Sequence, residues 1–243
     1  VKDGKTTLFF VPYAGGSVTV YRTWAELLSQ RVDVRLLELA GRGTRFGEPL
    51  YSSLSEAVAD LCTRALPFAQ GRYAFFGHSM GALLSYELAL EVARACGRPP
   101  VHLFLSGRFP PHIGARVPIN AATDENFLRS IAAVGGTPTE VFQNEDLMKL
   151  FLPILRSDYR ITEAHVRPAV GQPLDCGISF FYAKDDPMLT RETVETWRNY
   201  TTREFRLLEF DGGHFFVQAK KRELIHLING VLDPPPESVG AVG

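Results

Sequence analysis

Three features of this 243-residue sequence predict an α/β fold, a mostly parallel sheet flanked by helices. Short apolar runs alternate with longer segments of helical spacing, the pattern of a parallel sheet covered on both faces. A serine set between glycines, Gly77-His78-Ser79-Met80-Gly81, separates one such run from a helix-compatible segment. The length suits one α/β domain, whose core the 45% apolar residues can fill without disulfides or metal.

Along the chain, Thr7–Pro12 is expected to be the first strand and Tyr21–Gln30 the first helix. Asp33–Leu39 follows as a strand and Leu54–Phe68 as a helix, capped by Ser53 or Ser55. Tyr73–Phe76 is a short aromatic strand bounded by Gly71 and Gly77, and Met80–Ala95 a largely buried helix. Val101–Ser106, Ile178–Ala183 and Glu204–Phe210 complete the strands; Arg191–Tyr200, capped by Thr190, and Phe216–Leu232 complete the helices.

Between Gly107 and Gly177 the sequence offers no strand, only helical segments at Asp124–Val134 and Asn144–Val166 broken by Gly135-Gly136. A connection this long has its own structure and a job. Residues 1–232 are therefore expected to form one domain with a helical insertion at about 107–176. The Pro/Gly-rich residues 233–243 are expected to be a flexible tail.

The formal net charge of -1 argues against a nucleic-acid binder that relies on bulk electrostatics. No apolar run approaches the ~20 residues of a membrane span. The N-terminus, which begins at Val1 rather than Met, shows no signal peptide. Cys62, Cys96 and Cys176 are odd in number and lack a C-x-x-C spacing, as reduced thiols in a cytoplasmic protein would be. No P-loop or dinucleotide fingerprint appears, so neither a cofactor nor a metal is expected.

A strand that turns sharply into a helix at the serine of G-x-S-x-G is the nucleophile elbow of α/β-hydrolases. It makes Ser79 the candidate nucleophile and the 107–176 insertion a lid over it. Serine needs a base, and the base an orienting acid, in the chain order Ser, Asp or Glu, His. Of six histidines, only His214 falls between the last strand and the last helix. His78 belongs to the elbow and should point away from the serine hydroxyl, serving packing or hydrogen bonding. The acid should follow Ile178–Ala183, where Asp186 precedes Pro187; Asp185 fits a turn former and Asp211 is a weaker rival. Developing charge on the acyl oxygen needs two fixed donors. They are assigned to the backbone amides of Met80 and of Ala14, in Pro12-Tyr13-Ala14-Gly15-Gly16-Ser17.

Across roughly residues 7 to 232 the chain resembles the stand-alone type II thioesterases that accompany polyketide synthases and nonribosomal peptide synthetases. The resemblance rests on the Phe10–Ser17 motif, Gly41-Arg42-Gly43-Thr44-Arg45-Phe46-Gly47-Glu48-Pro49 and Phe76–Gly81. It continues through Leu155-Arg156-Ser157-Asp158-Tyr159, Asp185-Asp186-Pro187 and Gly212-Gly213-His214-Phe215-Phe216. Ala40 stands where a proline commonly precedes Gly41-Arg42. The resemblance implies an α/β-hydrolase fold with a helical lid and hydrolysis of acyl thioesters on the phosphopantetheine arm of acyl or peptidyl carrier proteins. It implies the same triad and oxyanion amides, with no cofactor beyond the substrate's own arm. A monomer without nucleic-acid or membrane partners is expected. Arg42 and Arg45 are expected to anchor their loop rather than face the acidic carrier. Phe127, Leu128, Phe142, Leu147, Met148, Leu150 and Phe151 could line an acyl pocket, though helical spacing makes most of them lid core. A chain-releasing thioesterase domain, or a carboxylesterase or lipase with the same triad, remains an alternative; a non-catalytic binding protein does not fit the intact triad.

Overall fold

Strands β1 (Thr6–Val11), β2 (Val32–Leu36), β3 (Arg72–His78), β4 (His102–Ser106), β5 (Gly177–Ala183) and β6 (Phe205–Phe210) form one parallel sheet. Their order is β2-β1-β3-β4-β5-β6. The helices are α1 (Leu54–Ala65), α2 (Met80–Cys96), α3 (Asp124–Val134), α4 (Thr139–Gln143), α5 (Glu145–Glu163), α6 (Arg191–Glu195), α7 (Phe216–Ala219) and α8 (Lys221–Leu232). This computed structural model describes residues 4–114, 118–136, 139–167 and 173–234. The tail expected at 233–243 lies, beyond its first two residues, outside the described residues.

Successive strand residues point to opposite faces, and both faces are apolar. Phe9, Val11, Tyr73 and Phe75 bury on one side, in a core shared with α1 and α2. Leu8, Phe10, Ala74 and Phe76 bury on the other, in a core shared with α8 and the helical segment Val18–Leu27. After β1 the chain lays β2 on one side and then returns to place β3 on the other. That reversal opens a crevice at the carboxyl ends of β1 and β3, the place where open α/β sheets bind ligands.

Several helices are tighter or shorter than their sequence pattern suggested. Val18–Leu27 is a 3-10 helix, capped by the Ser17 side chain, rather than the α-helix expected at Tyr21–Gln30. Its buried residues Val18, Tyr21 and Trp24 are spaced by three, the period at which 3-10 side chains eclipse, so one narrow stripe meets the core. The helix expected to Phe68 ends at Ala65 and closes in a 3-10 turn containing Pro67, which has no amide to donate. The segment 191–200 is split in the same way, α6 passing into a 3-10 turn that buries Trp197 and Tyr200. Phe216–Leu232 is two helices with a break at Lys220. Ser53, not Ser55, caps α1, and Thr190 caps α6.

Between β4 and β5 the described residues hold helices and no strand. Helix α3 has the expected bounds, whereas α5 ends at Glu163, short of Val166, and runs through Pro153. Asn144 starts α5 by accepting from the amides of Asp146 and Leu147.

Candidate active site

Ser79 lies between β3 and α2 at φ 54° and ψ -119°, the only positive-φ residue other than glycine among the described residues. Such a conformation costs roughly 1–3 kcal/mol and persists only where the surroundings impose it. Here the surroundings are tight. A Cβ on Gly77 would stand 2.0 Å from the Gly81 carbonyl oxygen, and one on Gly81 2.3 Å from that of Val11. The Ser79 amide donates to the Ser106 carbonyl at 2.8 Å, which ties the turn to β4.

His214 occupies the loop between β6 and α7, with its side chain 1% exposed. Its Nδ1 meets Asp186 Oδ2 at 2.7 Å, and the Asp186 side chain is wholly buried. The other Asp186 oxygen accepts the Met188 amide at 2.9 Å, fixing the carboxylate just after β5. Asp185 is exposed. Asp211 is 81% exposed and pairs with Lys184. The structure thus brings Asp186 to His214 and leaves its two rivals facing solvent. With Nδ1 on the carboxylate, Nε2 is free to accept a proton.

Ser79 and His214 line one cavity of about 300 Å³ together with Tyr13, Ala14 and Gly15. The structure forms no hydrogen bond between the Ser79 hydroxyl and His214, a contact that often tightens only with substrate bound. Met80 opens α2, where helix geometry leaves its amide without an intrahelical acceptor. On the facing loop the Gly16 amide is taken by the Tyr13 carbonyl and the Gly15 amide by Asp158 Oδ2 at 2.7 Å. The Tyr13 and Ala14 amides have no acceptor among the described residues.

The family model described as a thioesterase domain matches residues 6–232. The chain belongs to the thioesterase family. It is 36% identical to a Brevibacillus parabrevis protein named linear gramicidin dehydrogenase LgrE, over 95% of this chain and 89% of that one. The redox activity in that name has no counterpart here in a G-x-G-x-x-G fingerprint. The structure of ClbQ from the colibactin NRPS/PKS pathway superposes with a TM-score of 0.88 at 35% identity, covering 93% of this chain and 96% of that one. The type II thioesterase BorB from the borrelidin biosynthetic cluster superposes at 0.82 with 29% identity, covering 96% and 93%. The sheet and its flanking helices are those of the α/β-hydrolase fold.

In this thioesterase both loop arginines are held by ion pairs, although the Arg42 Nε is buried without an acceptor. Arg42 clasps Asp158 of α5 through both terminal nitrogens, at 2.6 and 2.7 Å. Arg45 bonds Glu48, Asp60, the Tyr51 hydroxyl and the Glu38 carbonyl. Neither side chain faces solvent, so both brace their loop. His78 is fully buried, bonds Ser106 at 3.1 Å and lies beside His214 at 4.9 Å between ring centroids, the two rings tilted by 47°. Burial, and then the neighbouring His214, hold its pKa well below the usual histidine range, so it is a neutral wall behind that ring.

Of the seven apolar residues considered for the acyl pocket, Phe151 alone lines the Ser79 cavity. Phe127 is buried beneath Arg156 and Tyr159, and Leu147 and Leu150 are exposed. The sequence pattern missed Ile131, Val134, Leu155 and Tyr159, which do line it. A larger groove of about 520 Å³, beside Glu87 and Arg160, includes none of Ser79, Asp186 and His214. Convergent chemistry, not volume, locates the site. Among the described residues no cluster of His, Cys, Asp and Glu is arranged to hold a metal, and no helix is long and apolar enough to cross a membrane.

Proposed function

We propose that this thioesterase is of the type II, editing kind. It would hydrolyse acyl groups from the phosphopantetheine arm of acyl or peptidyl carrier proteins in polyketide or nonribosomal peptide synthesis, clearing groups that stall the synthase. The carrying observation is the buried Asp186–His214 pair, whose histidine lines one cavity with the strained Ser79. The pathway assignment draws support from the relatives named for such pathways.

In the proposed mechanism the Ser79 hydroxyl oxygen attacks the thioester carbonyl while His214 Nε2 takes its proton. Asp186 holds the ring tautomer and stabilises the imidazolium that forms. The Met80 and Ala14 amides receive the oxyanion, a stabilisation of roughly 10²–10³ in rate per donor. The carbon–sulfur bond breaks, the pantetheine sulfur leaves with the proton from His214, and the acyl group remains on Ser79. Water then gives a proton to His214 and attacks the ester; collapse returns that proton to Ser79 and releases the acid.

The helices between β4 and β5 act in this scheme as a lid, within a single domain over residues 1–232. The enzyme works as a cytoplasmic monomer without cofactor, and nucleic acid and membrane play no part. Hydrolysis of an acyl-carrier thioester should exceed that of the matching oxygen ester by orders of magnitude. Equal rates on both would replace this reading with an esterase.

A further inference from the structure

Beside the Ser79 cavity lies a second one of about 240 Å³. Val134 of α3 and Tyr159 of α5 line both, so the two cavities adjoin at these residues. The second cavity is otherwise walled mainly by apolar groups, Phe109, Ile119, Pro187 and Met188 among them. Into this apolar setting the loop after β4 places Arg108, which is only 9% exposed.

The Arg108 guanidinium lies over the Phe109 ring at 4.3 Å, and one terminal nitrogen donates to the Thr162 carbonyl at 3.3 Å. Its Nε is buried with no acceptor. Glu163 lines the same cavity, but its two oxygens accept the Ile119 and Asn120 amides and form no ion pair with Arg108. Desolvation draws the guanidinium down to about 10, so it remains charged at neutral pH. Tyr159 is half-buried, and its hydroxyl forms no protein hydrogen bond among the described residues but is not sealed from solvent. A buried cation without a bonded counter-charge is costly, and packing alone would be served better by an apolar side chain. Arg108 Nη1 and the Tyr159 hydroxyl, on two residues that line this cavity, bond no protein acceptor among the described residues and are not enclosed, so they are the donors open to an acceptor bound there.

We propose that this cavity is a subsite for the distal part of the acyl chain. There Arg108 and Tyr159 select chains that carry a neutral acceptor oxygen, a keto or hydroxyl group, over plain alkyl chains. An ammonium-bearing chain is repelled by Arg108, and Glu163 disfavours a chain ending in carboxylate. The hydrocarbon part rests on Phe109, Ile119 and Met188. This inference deepens the thioesterase reading and rests on it.

The test compares kcat/KM for hexanoyl-, 3-hydroxyhexanoyl-, 5-oxohexanoyl- and adipoyl-pantetheine, using the full chain and its Arg108→Met and Arg108→Lys variants. A charge-assisted hydrogen bond should favour at least one neutral oxygenated chain over hexanoyl by about tenfold or more. Arg108→Met should bring that ratio close to one, and Arg108→Lys should keep part of it. A wild-type ratio near one for both oxygenated chains overturns the subsite. So does an Arg108→Met variant that slows all chains in proportion, since a bracing role moves rates and melting temperature but not the ratio. Preference for adipoyl would overturn the neutral-oxygen assignment. Failure to hydrolyse any of the four thioesters would instead contradict the thioesterase reading itself. Should Arg108→Met not fold, the same ratio in Tyr159→Phe decides: it falls if the subsite exists and is unchanged if it does not.

Discussion

Arg42 and Asp158, 116 positions apart in sequence, form a two-pronged ion pair with side chains 5% and 1% exposed. The same Asp158 carboxylate accepts the Gly15 amide, one residue from the Ala14 amide proposed to receive the oxyanion. One carboxylate of α5 therefore holds both the Gly41–Pro49 loop and the Pro12–Ser17 loop. The placement of α5 and the shape of the Pro12–Ser17 loop are linked through it.

Removing Asp158 leaves Arg42 buried and unpaired, which costs roughly 3–5 kcal/mol. Asp158→Ala should lose stability by about that amount in urea titration, with kcat lowered further by the freed Gly15 loop. Asp158→Asn still offers an oxygen to Gly15 and should fall between Asp158→Ala and wild type in both respects. A variant Asp158→Ala with wild-type stability and kcat would dissolve the linkage.

The strained elbow predicts which of two substitutions at Ser79 is the more stable. At φ 54° a side chain is strained, and glycine relieves that strain. Ser79→Gly should be more stable than Ser79→Ala by about 1 kcal/mol, although both lack the proposed nucleophile. Equal melting temperatures would show that the turn imposes no strain.

Gly77→Ala is expected to be severe, because the added methyl would stand 2.0 Å from the Gly81 backbone oxygen, where no side chain can yield. A loss of about 3 kcal/mol or more follows, above the usual cost of overpacking. Thermal denaturation reads it directly, and a change under about 1 kcal/mol would contradict the geometry.

Acid should weaken the fold through its buried histidines. Burial, and then Arg206, bring His102 down to about 4 from its ordinary 6.5, while its ring bonds Ser179. Below pH 6.5 the unfolded chain takes up this proton and the native one does not. Stability is therefore full near neutrality, falls as pH drops through the window from about 6.5 to about 4, and then levels off. The loss from this residue is about 2 kcal/mol at pH 5. His78, depressed in the same direction, adds to it. The variant His102→Gln should flatten the curve of urea stability against pH over that window; an unchanged slope would rule His102 out.

The succession of strands along the chain and the turn at Ser79 were legible because they depend on local pattern, an apolar run, a glycine and a helical stretch; the β2-β1-β3-β4-β5-β6 order within the sheet was not. His214 was distinguished from five other histidines by its place between the last strand and helix. The 3-10 character of Val18–Leu27 was not legible. An amphipathic stretch of ten residues reads much the same at either period until burial at Val18, Tyr21 and Trp24 selects the spacing of three. Nor could the pattern choose between apolar residues on α3 and α5. Phe127 turns into the core between those helices and Val134 toward the cavity, a choice made by how the two helices pack. Asp158 stood within a recognised motif, yet its role depends on meeting Arg42 and Gly15, contacts that no local pattern encodes.

The account rests on an acyl group passing through Ser79. The direct measurement is mass spectrometry of protein quenched in acid during turnover of an acyl-carrier thioester. It predicts one added acyl mass on the peptide that contains Ser79, and in Ser79→Ala both the adduct and turnover above the residual level should vanish. Turnover at the wild-type rate in Ser79→Ala, with no acyl mass on that peptide, would contradict it.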